Sequence, residues 1–105
     1  LDWVRSRHRS RGLAPSVLTR ELINKDIDSE LIDVAVKQIS DQDTRDRAYQ
    51  LAAKKYRSVH ELEGKVAIRR IASLLQRKGY APGVCWQIAM ETVGAELEAV
   101  GDLEG

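Results

Sequence analysis

Few side chains in this sequence have the type and spacing that bond-making chemistry needs, and the ones that recur are cations. Cys85 is the single cysteine and lies inside an apolar helical pattern. A nucleophilic thiol needs a base or cation beside it. No His or Asp partner is evident, so Cys85 reads as a small buried hydrophobe. One cysteine also excludes an internal disulfide and suits a reducing compartment. Only two histidines occur, His8 and His60, widely separated in the chain. With them no structural zinc site can form. His8 lies among arginines and is expected at the surface; His60 is expected in a local capping role. Asp41, Asp43 and Asp46 could attract a cation, but capping of a helix explains them more economically. The glycines are isolated, so no phosphate-cradling loop is present. The expectation is a protein with no catalytic residue, no metal, no cofactor and no small-molecule substrate, and so not an enzyme.

The basic residues are more informative. The net charge is only +1, yet it is segregated along the chain. Residues 1–25 sum to +4, 26–47 to −4, 48–80 to +6 and 81–105 to −5. Arg5 and Arg9 are four apart and share a helix face, as do Lys65 and Arg69, with Arg70 and Arg77 on a third. Side by side, such faces would attract phosphates or a carboxylate-lined groove, with an affinity that falls as salt rises. Aromatic residues suited to stacking on bases are sparse. Trp3 and Tyr56 are expected in the core, and Trp86 at the surface, available to a partner.

These cations need helices to hold them, and the chain reads as six. A motif occurs twice, 53 residues apart: Leu22-Ile23-Asn24-Lys25-Asp26-Ile27-Asp28-Ser29-Glu30-Leu31-Ile32 and Leu75-Gln76-Arg77-Lys78-Gly79-Tyr80-Ala81-Pro82-Gly83-Val84-Cys85. Each copy is a helix ending in Lys, a one-residue break, a buried anchor and a new helix. Repetition of this kind points to stacked helical units. The first helix spans about 1–11 and stops at Gly12. The second starts at Pro15 or Ser16, where proline forfeits no hydrogen bond. The third follows Asp28 and runs to about Ser40, with Leu31, Val34, Ala35 and Ile39 on its buried face, widened by Ile32 and Val36. Asp43 or Thr44 is expected to cap the fourth, which runs to about Arg57. Ser58-Val59-His60-Glu61 has capping-box spacing and is expected to open the fifth. The fifth buries Ile68, Ile71, Ala72 and Leu75. The sixth starts at Pro82. Aligning Trp3 with Tyr49 gives an offset of 46 rather than 53, so about seven residues are inserted near Arg57 to Gly64, a change that loops tolerate.

The expected fold is therefore all-α: tandem three-helix repeats in an elongated, curved array. One repeat covers 1–40, residues 41–43 form a joint, a second repeat covers 44–100, and 101–105 is a frayed tail around Gly101. No apolar run approaches the ~18 residues of a membrane span. The chain begins Leu1-Asp2-Trp3 with no Met and no apolar signal region, and so reads as a fragment or processed form.

Two sets of residues resemble a known family. Trp3-Val4-Arg5-Ser6-Arg7, Arg20-Glu21-Leu22, and Lys25-Asp26-Ile27 with Glu30-Leu31-Ile32 resemble the second repeat of RecX regulatory proteins. Ala52-Ala53-Lys54-Lys55-Tyr56, Lys65, and Leu74-Leu75-Gln76-Arg77-Lys78-Gly79-Tyr80 resemble the third. Asp26 stands where that family prefers Gly, and Cys85-Trp86 departs from its pattern. The family has three repeats and two are visible, so the chain is expected to be the C-terminal portion of a longer regulator. The resemblance implies a cytoplasmic, monomeric modulator of the RecA recombinase. It would lodge in the groove of the RecA filament on DNA and inhibit its ATPase, strand-exchange and coprotease activities in repair and recombination. Direct contact with DNA is a further implied partner. The contact residues expected on this basis are Arg5, Arg9, Arg20, Lys25, Lys54, Lys65, Arg69 and Lys78. The competing reading is a helical module, such as a repressor, acting directly on DNA; the acidic outer faces of the third and sixth helices oppose their use as major-groove recognition helices.

Overall fold

The computed structural model describes residues 2–104, with side chains described for residues 2–95. Six helices follow one another: α1 Asp2–Arg11, α2 Pro15–Asn24, α3 Ser29–Lys37, α4 Asp41–Val59, α5 Gly64–Arg77 and α6 Pro82–Glu104. No strand occurs among the described residues. The molecule is a rod of 56 × 20 × 20 Å. It contains two cores. Val4, Leu13, Leu18, Leu22, Ile32, Ala35 and Ile39 close the first three helices. A larger cluster with Leu51, Ile71, Leu75, Tyr80, Ile88 and Val93 closes the last three, and Ala14 reaches into it from the α1–α2 link. Two cores in sequence are what tandem repeats produce, since each unit buries the apolar stripes of its own three helices.

The two copies of the motif fold alike, bond for bond. In the first, Ile27 N–H donates to Leu22 O at 3.1 Å and Asp26 N–H to Ile23 O at 3.0 Å. In the second, Tyr80 N–H donates to Leu75 O at 3.1 Å and Gly79 N–H to Gln76 O at 3.0 Å. This is the Schellman pattern, which pairs the orphan carbonyls of a helix end through one left-handed residue. That residue is Asp26, at φ +59°, in one copy and Gly79, at φ +97°, in the other. The anchor that follows, Ile27 or Tyr80, packs against its own unit's core.

Several boundaries differ from those expected. Ser40, not Asp43 or Thr44, caps α4: its Oγ accepts from Asp43 N–H at 2.9 Å. Residues 41–43 are thus the first turn of α4 and not a joint, and α3 stops at Lys37, which frees Ser40 for the cap. The Ser58-Val59-His60-Glu61 box opens no helix. Ser58 Oγ donates back to Lys55 O at 2.8 Å and Val59 is buried, so α4 continues through the box and α5 starts at Gly64 after Glu63. Burial of Val59 outweighed a cap that could satisfy only exposed groups. The seven extra residues are accordingly shared: α4 runs two further than its counterpart, the link is one longer, and α5 is four longer than α2. Finally, α6 continues through Gly94 and Gly101 to Glu104. A glycine costs a helix only ~1 kcal/mol, and strong helix formers surround these two.

On α3 the buried stripe is rotated. Ile32, Ala35 and Ile39 are buried and Val36 half-buried, while Leu31 and Val34 are 58% and 62% exposed. Only one stripe can face a two-helix neighbour, and the α2–α3 turn brought the Ile32 stripe inward.

Candidate partner-binding surface

The candidate cations fall on different parts of the rod. Arg5 and Arg9 stand one turn apart on α1 and line the same cleft, of about 300 Å3, with His8, Gln38, Ile39, Asp43, Arg47 and Gln50. A second hollow, of about 380 Å3, shares Arg5 and Arg9 and continues along α1 past Asp2, Ser6 and Ser10. The first cleft lies on the seam between the units, since α1 belongs to one and α4 to the other. Arg47 was not among the expected contact residues. The signal that could have found it is helical spacing: Arg47, Gln50 and Lys54 recur at i, i+3 and i+7 on α4. Its guanidinium is held by two long hydrogen bonds, Nε to His8 O and Nη1 to Gln50 Oε1, both at 3.4 Å.

Other candidates lie apart from this cleft. Lys25 Nζ sits 4.5 Å from the Trp3 ring centroid, and Arg7 Cζ lies 5.1 Å from the same ring. Trp3 is half-buried at the edge of the first core. Lys25 therefore has a structural partner, in an interaction of ~0.5–1 kcal/mol at an exposed site. Lys78 is half-buried, and its carbonyl accepts Ala14 N–H at 2.8 Å, so part of its role is at the seam. Lys65 and Arg69 are exposed on α5, where Arg69 and Arg70 border a shallow hollow with Val66 and Ser73. Arg20 and Lys54 are exposed on α2 and α4.

His8 overturns the expectation of a surface histidine: it is 6% exposed. It stands four residues after the buried Val4, so the inner face of α1 carries both. Its Nδ1 lies 2.9 Å from Leu13 O. A carbonyl can only accept, so Nδ1 carries the proton and pins the α1–α2 link to the end of α1. His60 is local, with Nδ1 3.0 Å from Arg57 O. Cys85 is fully buried; its Sγ donates to Tyr80 O at 3.3 Å, and burial pushes the thiol pKa up, which makes it a poor nucleophile. Trp86 is 39% exposed and, one turn on, Met90 is 53% exposed, so the outer face of α6 offers an aromatic and a thioether to solvent. Among the described residues no group of three or more His, Cys, Asp or Glu could hold a metal ion. None of the described helices is long and apolar enough to cross a membrane.

The seam itself was not foreseen. Ser16 Oγ donates to Gly79 O at 2.9 Å, and Tyr80 Oη donates to Gly12 O at 3.0 Å. With the Ala14–Lys78 bond, the α1–α2 link of one unit is fastened to the α5–α6 turn of the other. Burial pushes the Tyr80 phenol up to about 12, so it remains a donor at neutral pH. Both glycines at this seam are space-limited. A Cβ on Gly12 would meet Leu51 Cδ1 at 2.7 Å, and one on Gly79 would run into Val17.

Comparison with known proteins is consistent along the chain. The family model described as RecX, second three-helix domain, matches residues 2–36, and that described as RecX, third three-helix domain, matches 41–88. The regulatory protein RecX of Streptomyces coelicolor is 41% identical over 103 residues, covering 95% of this chain and 55% of that protein. Those of Corynebacterium efficiens and Thermobifida fusca are 34% and 33% identical, covering 92% and 94% of this chain and 49% and 51% of theirs. This chain therefore spans about half the length of the curated relatives it matches. No solved structure matches.

Proposed function

The chain belongs to the RecX family of regulatory proteins, and from that premise we propose that it binds the RecA recombinase filament and chiefly inhibits its ATPase, strand-exchange and coprotease activities. The observation that carries this reading is the family match to both three-helix units in order. The shape supports it. A rod of 56 Å with cations on several helices can follow a groove and touch successive subunits, so modest contacts add through high effective concentration. On this reading the protein acts as a cytoplasmic monomer and by occupancy, without consuming a substrate. The cations most open to a partner are Arg5, Arg9, Lys54, Lys65 and Arg69, with Arg20 exposed on α2 and Lys25 and Lys78 partly committed to the fold.

The test is RecA ATPase on single-stranded DNA with increasing amounts of this protein. The expected result is a dose-dependent fall in rate that weakens as salt rises. Reversing Lys65 and Arg69 together to Glu should lower filament affinity with helical content unchanged by circular dichroism. No fall in ATPase, together with a tight sequence-specific shift of duplex DNA, would sink this reading in favour of a repressor.

A further inference from the structure

From the outer face of α6 we infer a docking site for a basic amphipathic helix of a protein partner, held by Trp86 and Met90 and selected by the anionic charge of the C-terminal segment. A helix packed on one side needs apolar residues on one stripe only. Its neighbour α5 follows that rule: the exposed residues of α5 are Lys65, Arg69, Arg70, Ser73, Gln76 and Arg77, all polar. The last helix does not. It buries Cys85, Ile88, Ala89 and Val93 in the second core. Yet between Gly83 and Ala95 its exposed residues include Val84, Trp86 and Met90, and only Gln87 and Glu91 are polar. A helix apolar on both sides has two packing faces, and the fold covers one of them.

Gly83, Trp86, Met90 and Gly94 recur at i, i+3, i+7 and i+11, which places them on one stripe of about three turns. The fold does not require either glycine. Neither has a positive φ, and a Cβ on either would meet nothing within 4 Å. Each leaves bare backbone near an end of the stripe, which admits the close approach of another helix. Between them Trp86 and Met90 supply the bulk that a partner would bury. Charge names the occupant. No Lys or Arg follows Lys78 in the sequence, and residues 81–105 carry five acidic side chains. Glu91 borders the stripe, accepting from Gln87 Nε2 at 3.2 Å and from the Tyr49 hydroxyl of α4. Those two bonds hold its carboxyl below the usual carboxylate range, so it is anionic at neutral pH. An anionic apolar face repels phosphate backbones and anionic lipid, and attracts a helix whose apolar stripe is flanked by Lys or Arg. A cation of that helix can rest on the open Trp86 ring. A second copy of this chain would instead set two anionic faces together.

This inference does not rest on the RecA reading, and its test contains no RecA. The probe is a short fluorescein-labelled helical peptide of Leu and Lys with every leucine on one stripe, and its binding to the full chain is followed by anisotropy at physiological salt. One control peptide has the same composition with its leucines spread around the helix; another has Glu in place of Lys. The striped Leu/Lys peptide should bind about tenfold or more tightly than either control, and Trp86→Ala/Met90→Ala should lower its affinity by about tenfold or more, as expected for loss of central anchors. Gly94→Arg should lower it as far, because it puts bulk and a like charge on the stripe. That variant should also raise the Tm, since arginine favours a helix more than glycine does and the position is open, so its loss of binding could not be assigned to misfolding. Arg5→Gln/Arg9→Gln on α1 should bind the peptide unchanged. Equal affinity for the three peptides, or variants at α6 that bind as tightly as the wild type, would overturn the site. So would a concentration-dependent dimer in sedimentation equilibrium that Trp86→Ala/Met90→Ala abolishes, which would assign the face to a second copy of this chain.

Discussion

At the scale of single residues, the polar groups most deeply involved in this protein are structural. Tyr80 is the clearest case, because its hydroxyl crosses from one unit to the backbone of the other. Tyr80→Phe leaves Gly12 O without that donor and is expected to cost ~1–2 kcal/mol in urea unfolding at pH 7. The pH dependence carries a sign. Burial raises the folded phenol to about 12 from an ordinary 10, so its contribution is present below pH 10 and lost as pH rises towards 12. The wild-type Tm should fall steeply over that window, and Tyr80→Phe should fall less; identical alkaline slopes would remove Tyr80 as the cause. His8 follows the same logic of placement. Its arginine neighbours in sequence suggested solvent, but its spacing from Val4 put it inside, where two carbonyls surround its ring. Flanking charge describes adjacent positions on a helix, and adjacent positions point in different directions.

At the scale of elements, most of the helices were legible, and the errors lie at their ends. The Lys-break-anchor motif named both turns correctly because a left-handed residue followed by an apolar anchor has few other uses. The two copies differ at the strained position. Asp26 holds φ +59°, which glycine adopts more readily. Asp26→Gly is therefore expected to stabilise the first unit by ~0.5–1 kcal/mol, read as a higher Tm with unchanged helical content. A lower Tm would mean that the Asp26 side chain contributes a bond that outweighs its backbone strain. The capping box at Ser58 failed for an energetic reason. Such a box contributes ~1 kcal/mol, and burying Val59 while continuing α4 contributes at least as much. The tilt of α3 was ambiguous from sequence because Leu31, Ile32, Val34, Ala35 and Val36 contain two overlapping apolar stripes, and only packing on α2 chose between them.

At the scale of the whole molecule, the seam makes the two units one body. The first unit, residues 2–37, is near the ~40-residue limit below which a lone core rarely suffices. It should depend on its attachment to the second. Gly79→Ala tests this dependence, since the new Cβ meets Val17 across the seam at a backbone angle that suits glycine. Hydrogen exchange should then accelerate throughout α1–α3 while the core of α4–α6 keeps most of its protection. Equal acceleration in both units, or acceleration confined to the α5–α6 turn, would remove the seam as the link that stabilises the first unit. The same seam brings Arg47 to the cleft that Arg5 and Arg9 line.

The sequence by itself determined the six helices, the doubled turn, the charge blocks and the family, because helical periodicity, turn chemistry and repetition are local properties carried by neighbouring residues. Tertiary structure alone decided which stripe of α3 faces inward, where α4 stops, that His8 is buried, and that Tyr80, Gly12, Ser16 and Gly79 meet. It also placed three of the seventeen basic residues, Arg5, Arg9 and Arg47, on the lining of one cleft. The seam contacts among them join residues some 35 to 70 positions apart, such as His8 with Asp43 and Gly12 with Tyr80, and no local pattern encodes which distant surfaces will touch.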